Sequence, residues 1–240
     1  MRKINLGVVL PEEFNLNADT ANLRIIKRRL ELSGYSVEVH QIGKDFDAKA
    51  SDLDFAVVGS PSSSVLKAIM ADSSRFKGFA SELLASDSVV LAVSNGLHAF
   101  GSMVSATGES LASLELLDTK TTFGTKQHVT IAATVTTVFG QLAGVENHNA
   151  TVELGSELSA LGEMTFGVGN NTGGAEGVWK GNFFGTHLHG PVLAMNSGFA
   201  DELCKRIVAK AGGNFVPGPE LARLDQLTAE ARAHLLRQQA

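Results

Sequence analysis

Two short runs hold the side chains best suited to chemistry. Val89-Val90-Leu91-Ala92-Val93 runs into Ser94-Asn95-Gly96, and Gly185-Thr186-His187-Leu188-His189-Gly190-Pro191 carries two histidines two residues apart. A strand that turns sharply into a helix leaves its central side chain exposed, and a Gly two residues on relieves crowding, which is the logic of the G-x-S-x-G nucleophile elbow. Ser94 takes the central place, although Ala92 stands where that motif has its leading Gly. His187 and His189, at i and i+2, share one face of an extended segment that a Gly-Pro pair ends. Either could serve as a general base, although a strand-end histidine is often only hydrogen-bonded to a loop. They could also start a metal site, but no third ligand accompanies them, and no metal or other cofactor is expected.

Such residues need strand ends to hold them, and the chain supplies short apolar runs alternating with helical patterns, as parallel α/β sheets do. Residues 4–10 form the first run. Asp19 is a candidate N-cap for a helix carrying Leu23, Ile25, Ile26, Leu30 and Leu32, with Gly34 as its stop. Val37-Glu38-Val39, then Phe55-Ala56-Val57-Val58 running into Gly59, then the run into Ser94 complete four such units. Each ends where a site can sit. Residues 122–152, rich in Thr and Val with little helical period, read as extended and antiparallel-prone. Beyond them come 163–169, a Gly-rich stretch at 170–177, a strand through Phe183-Phe184-Gly185-Thr186 and a helix at about 197–211. After Pro219, Leu221, Leu224, Leu227, Ala231 and Leu235 mark an amphipathic helix. The expected organisation is a domain over 1–215 with a C-terminal helix over 216–240, part of the same domain or a docking arm for another subunit.

Composition narrows the class. A chain of 240 residues at 44% hydrophobic content can bury one substantial core. The 20 Lys+Arg against 25 Asp+Glu give a net charge of -5, spread without long runs of either sign apart from Lys27-Arg28-Arg29, so nucleic acid is not an expected partner. One cysteine, Cys204, excludes an internal disulfide framework and fits a reducing, cytoplasmic compartment. No window of about 18 apolar residues suggests a membrane span, and no export signal is read at the N-terminus. Gly167-Val168-Gly169-Asn170-Asn171-Thr172-Gly173 looks like a dinucleotide fingerprint, but it misses the third glycine and the strand-helix context, so it reads as a turn.

The motifs together resemble those of a known family. Asn15-Leu16-Asn17-Ala18-Asp19, Gly144-Val145-Glu146-Asn147-His148, Phe166-Gly167-Val168-Gly169-Asn170-Asn171 and above all Gly185-Thr186-His187-Leu188-His189-Gly190-Pro191 are similar, in order and spacing, to the CobB/CobQ-like class I glutamine amidotransferases. Within them the resemblance is to GatD, the glutaminase subunit of lipid II isoglutaminyl synthase, and extends over nearly the whole chain. It implies a three-layer α/β fold, flavodoxin-like, with a mostly parallel sheet flanked by helices. In that family an elbow cysteine attacks the carboxamide of glutamine with help from a histidine. Ammonia then passes to a Mur-ligase-like (MurT-like) partner that amidates the peptidoglycan stem peptide. His189 matches the catalytic histidine.

Four departures bear on activity. Ser94 stands at the cysteine position, and a serine hydroxyl needs a well-oriented base with a third group behind it, so a dyad of Ser94 and His189 would be poor. Gly59-Ser60-Pro61 replaces the family's Gly-Gly-Gly loop, whose amides help hold the oxyanion, and proline has no N–H. Asn95-Gly96-Leu97-His98 stands for Gly-Gly-Tyr-Gln. The arginine expected for the substrate α-carboxylate falls near Lys126-Gln127-His128, and no Arg occurs between Arg75 and Arg206. The resemblance thus assigns Ser94 and His189 to the catalytic positions and Gly59, Ser60, Asn95, Lys126 and Gln127 to oxyanion or substrate binding. Four altered features together point to natural divergence rather than to one laboratory change. The expectation is a degenerate, inactive or impaired glutaminase centre. An active subunit, a Ser-His hydrolase and a regulatory or scaffolding module remain alternatives.

Overall fold

The structure, a computed structural model, describes residues 2–171 and 174–239. Thr172 and Gly173 of the fingerprint-like run lie outside the described residues.

The six-stranded sheet follows from the sequence. Strands β1 (Ile4–Val9), β3 (Phe55–Val58), β4 (Val89–Val93) and β12 (Phe183–Thr186) are nearly continuous apolar runs. Such runs are buried on both faces and sit at the centre of a parallel sheet. β2 (Val37–Ile42) is an edge and is mostly half-buried or exposed. The order is β11-β12-β4-β3-β1-β2, with β11 (Val178–Lys180) antiparallel to β12 and the other pairs parallel.

The alternation of side chains across each strand divides the core in two. Val89, Leu91 and Val93 of β4 face one way and pack with α1 (Ala21–Leu32) and α5 (Ser197–Lys210). Val90 and Ala92 face the other way and pack with α2 (Ser63–Met70) and α3 (Ser74–Ala85). This is the expected three-layer α/β arrangement.

The Thr/Val-rich middle forms a second sheet. The long hairpin of β7 (Thr119–Thr137) and β8 (Gly140–Leu154) is antiparallel, with register breaks between Phe123 and His128 and between Thr130 and Ala133. β5 (Ser102–Val104), β6 (Ser110–Leu111), β9 (Gly162–Phe166) and β10 (Ala175–Glu176) extend it. β13 (Leu188–His189) adds to β8, pairing His189 with Val145 and Leu188 with Glu146. The short helix α4 (Asn95–His98) follows β4 directly.

One expectation needs correction. Asp19 does not cap the first helix, because α1 starts at Ala21 behind Thr20 and has no side-chain cap bond. The Asp19 carboxylate is fully buried and turned toward His189 and the Ser60 amide instead.

The last helix, α6 (Leu221–Leu236), lies along this domain. Leu221 joins the α1/α5 core. The buried Arg29 guanidinium binds Asp201 of α5 (2.7 and 2.9 Å) and Asp225 of α6 (2.7 Å), and burial leaves it charged because both carboxylates face it. Leu227 remains 46% exposed on the outer side. Among the described residues no helix is long and apolar enough to cross a membrane.

Candidate active site

The elbow expected at Ser94 is present in its backbone. Ser94 sits at φ 49° and ψ −117° between β4 and α4, a conformation that costs a non-glycine residue about 1–3 kcal/mol and persists only where its surroundings enforce it. Here they do. The Ser94 N–H donates to Thr186 O at 2.8 Å and the His98 N–H donates to Ser94 O at 2.9 Å, so sheet and helix both hold the turn. Gly96 completes it, because a Cβ there would stand 2.3 Å from Gly59 O and 2.7 Å from Val58 O. The elbow therefore packs directly on the end of β3.

That contact brings Ser94 beside the Gly59-Ser60-Pro61 loop. The Ser60 N–H donates to Asp19 Oδ2 at 3.1 Å, and Pro61 has no N–H to give. The Pro61 carbonyl accepts from Asn95 Nδ2 at 2.9 Å. Neither Ser60 nor Pro61 offers a free amide to a bound oxyanion. The Asn95 N–H remains, since it opens α4, where first-turn amides have no acceptor within the helix.

The opposite wall of the elbow is made by histidine. His189 Nδ1 lies 3.0 Å from Asp19 Oδ1, and both groups are buried. A carboxylate in that place fixes the ring and turns Nε2 outward, the base-and-orienter arrangement of serine hydrolases. Nothing local in the sequence around Asp19 points to this role beyond its place at the end of the loop after β1, two residues from Asn17. Nε2 of His189 is 3.5 Å from Asn17 Nδ2, and among the described residues no hydrogen bond joins His189 to Ser94.

His187 points elsewhere. Its Nδ1 is 2.9 Å from Glu176 Oε2 and its Nε2 is 3.0 Å from His98 Nε2. His98 Nδ1 in turn lies 3.1 Å from Asn95 Oδ1. Burial drives the His98 pKa well below its ordinary value, and the neighbouring His187, His148 and His189 push it the same way. Glu176 also accepts from Thr186 Oγ1 and the His187 N–H, both at 2.7 Å. Burial works to raise the Glu176 pKa, but His187 and these hydrogen bonds hold it below the ordinary carboxylate value. Gly177, at φ 64°, makes the turn that sets Glu176 under β12, since a Cβ there would meet Gly185 O at 2.2 Å.

His148 stacks on His187 with ring centroids 4.4 Å apart, and its Nε2 is 3.5 Å from Glu146 Oε1. Glu146 accepts from the amides of Gly169 (2.6 Å) and Val168 (2.9 Å). Burial opposes its ionisation, yet His148, these amides and Thr130 hold its pKa down to about 2. The Gly-rich turn after β9 is thus moored to Glu146.

Lys126 and Gln127 lie on an exposed stretch of β7, where Gln127 Nε2 donates to Asn147 Oδ1 at 2.7 Å. No hydrogen bond or ion pair among the described residues links either to Ser94 or His189. A cavity of about 440 Å³ opens between α2 and the β5–β6 hairpin, lined by Leu66, Met70, Met103 and Phe123 among others, and none of Ser94, His189 and Asp19 borders it. Among the described residues no cluster of three or more His, Cys, Asp or Glu is arranged to hold a metal ion.

Comparison with known proteins gives the family and the fold. Residues 5–197 match the CobB/CobQ-like glutamine amidotransferase domain. The chain is 25% identical over 219 residues to the lipid II isoglutaminyl synthase (glutamine-hydrolyzing) subunit GatD of Staphylococcus aureus, covering 90% of this chain and 89% of that one. It is 26% identical over 230 residues to the same-named subunit of Streptococcus pneumoniae, covering 90% and 85%. Among solved structures, a glutamine amidotransferase superposes with a TM-score of 0.58 at 14% identity, covering 84% of this chain and 98% of that one. A second, from Thermotoga maritima, superposes with a TM-score of 0.53 at 13% identity over 100% and 99%. These two likenesses concern the fold.

Proposed function

The chain belongs to the CobB/CobQ-like glutamine amidotransferase family, and from that premise we propose that it is a GatD-like subunit tied to lipid II amidation whose glutamine-hydrolysing centre is impaired. The observation that carries this reading is the loop beside the elbow. Its Ser60 amide is spent on Asp19 and its next residue is Pro61. Losing one oxyanion donor costs about 10²- to 10³-fold in rate. Ser94 adds to the loss, because a hydroxyl is far less ionised than a thiol at neutral pH and has no hydrogen-bonded base in this resting geometry. The retained shell then serves to dock a Mur-ligase-like (MurT-like) partner in the cytoplasm and to hold glutamine or a similar small ligand. Gly59, Asn95, Lys126 and Gln127 are the candidate ligand contacts, and the exposed side of α6 is a candidate part of the docking arm.

Ammonia release from glutamine, measured with the purified partner present, tests the proposal. The expected result is turnover far below the ordinary enzymatic range, and a rate above roughly 1 per second overturns it.

Asp19 behind His189 favours a second reading, a serine hydrolase acting on acyl groups more reactive than a carboxamide. Labelling of Ser94 by a fluorophosphonate probe, lost in Ser94→Ala, would support it.

A further inference from the structure

The most developed polar feature outside the Ser94–His189–Asp19 group is the buried row that runs from β10 through β12 to α4 and the loop after β3. We infer that Glu176, His187, His98 and Asn95 form a one-way hydrogen-bond relay, with His187 carrying both ring protons, that positions the Asn95 side chain and the Pro61 carbonyl at the elbow. The inference concerns the resting geometry and stands whether or not glutamine is hydrolysed.

Four hydrogen bonds run in series, and the protons on them can be counted from either end. At one end the Pro61 carbonyl can only accept, so Asn95 must turn Nδ2 to it and present Oδ1 to His98. His98 must then donate from Nδ1. A second proton on this ring would need a charged imidazole, which burial and the neighbouring histidines oppose. His98 Nε2 is therefore a bare lone pair, and the proton between the two rings belongs to His187 Nε2, 3.0 Å away. At the other end Glu176 already accepts from Thr186 Oγ1 and the His187 amide, and its second oxygen faces His187 Nδ1 at 2.9 Å. An ionised carboxylate there takes a proton from Nδ1 as well. His187 donates at both nitrogens, and the Glu176–His187 pair is neutral as a unit.

The surroundings suit a buried cation of this kind. Glu176 of β10 supplies the counter-charge, and the His148 ring of β8 covers one face of His187. Glu146 stands beyond His148. Phe123 of β7 closes over His98 edge-on, with centroids 5.6 Å apart, and separates it from the apolar cavity beside α2. The relay ends on the Gly59-Ser60-Pro61 loop, at the Pro61 carbonyl beside the elbow. Glu176, His187 and His98 are positioning residues, because their side chains reach the elbow only through Asn95.

Nitrogen-15 NMR of the full chain labelled at histidine and asparagine tests the inference at neutral pH. The expected spectrum shows His187 protonated at both ring nitrogens and His98 at Nδ1 only. Glu176→Gln should leave His187 with one ring proton. His98→Phe should speed exchange of the Asn95 side-chain amide with solvent about tenfold, the size of one net hydrogen bond. His98→Gln should recover part of that protection. A neutral His187 in the unaltered protein overturns the inference, even if all three variants fail to fold. So does Asn95 exchange that His98→Phe leaves unchanged.

Discussion

The two walls of the elbow hold their polar groups differently. On the loop wall, the Ser60 amide is taken by Asp19, Pro61 has no N–H, and the elbow residue Ser94 carries a hydroxyl. On the histidine wall each imidazole has a partner: His189 has Asp19, His187 has Glu176, His148 has Glu146 and His98 has Asn95. The backbone between them keeps its strained turn. The difference separates two demands on an active site. Stabilising charge on a transition state needs donors left unsatisfied in the resting protein, and a fold gains stability when it fills them. Orienting a base needs satisfied partners, which also suit a stable core. A centre released from catalysis would lose the first kind before the second.

The two walls can be tested separately by changing only the loop wall and the elbow residue. Ser94→Cys with Pro61→Gly supplies a thiol and a loop amide while leaving every histidine in place. Glutaminase turnover should rise by at least about 10²- to 10³-fold over the single Ser94→Cys change, the value of one donor. Adding His189→Ala should abolish the gain. If the double variant stays silent with the partner present, the histidine wall is not the competent half it looks to be.

Parts of this were legible in the sequence, for reasons that differ by region. Apolar runs marked β1, β3, β4 and β12, because a strand buried on both faces has no polar positions to blur its limits. The turn at Ser94 followed from a strand running into Asn95-Gly96, and the Thr/Val-rich middle did form an antiparallel hairpin. Asp19 reads in the sequence as a helix cap, since an Asp before a helical pattern has the same local signature whether it bonds its own helix or a histidine 170 residues away. Glu176 had no local signature, because its role depends on the turn at Gly177 and on pairing between distant strands.

A second test probes the better-partnered wall through acid. Glu146 is held at about 2 against an ordinary 4.5. As the pH falls, the unfolded chain takes the proton first. Its contribution is therefore complete above about pH 4.5 and is lost as the pH falls toward 2. The size is on the order of 3 kcal/mol. Urea unfolding of Glu146→Gln should show lower stability at pH 7 and a shallower loss between pH 4.5 and 2 than the unaltered protein. Glu176, also held below its ordinary value, should keep some acid dependence in the variant. A parallel fall in both proteins would show that Glu146 is not anchored as its contacts imply.

The exposed end of β7 offers a smaller effect. Gln127 bonds Asn147 on the surface, so Gln127→Ala should change stability by no more than about 0.5 kcal/mol. If the residue contacts ligand, the change should weaken glutamine binding in calorimetry without moving the unfolding midpoint.

The last comparison sets Ser94 against the chain's one thiol, and here the expected effect is none. Cys204 lies in α5, fully buried with Leu203, Ile207 and Phe199 in the α1/α5 core. Burial pushes its pKa far up, only weakly offset by Arg29, so almost no thiolate exists at neutral pH. It sits in the helical layer, away from the strand ends that carry the elbow. Iodoacetamide should leave the folded protein unmodified and label Cys204 only when urea unfolds it. Ligand binding and any residual glutaminase rate should be the same before and after exposure of the folded protein to the reagent. Rapid labelling of the native state, with loss of either property, would mean that the α5 layer opens and that the chain's only thiol has a route to chemistry which the packing of this core denies it.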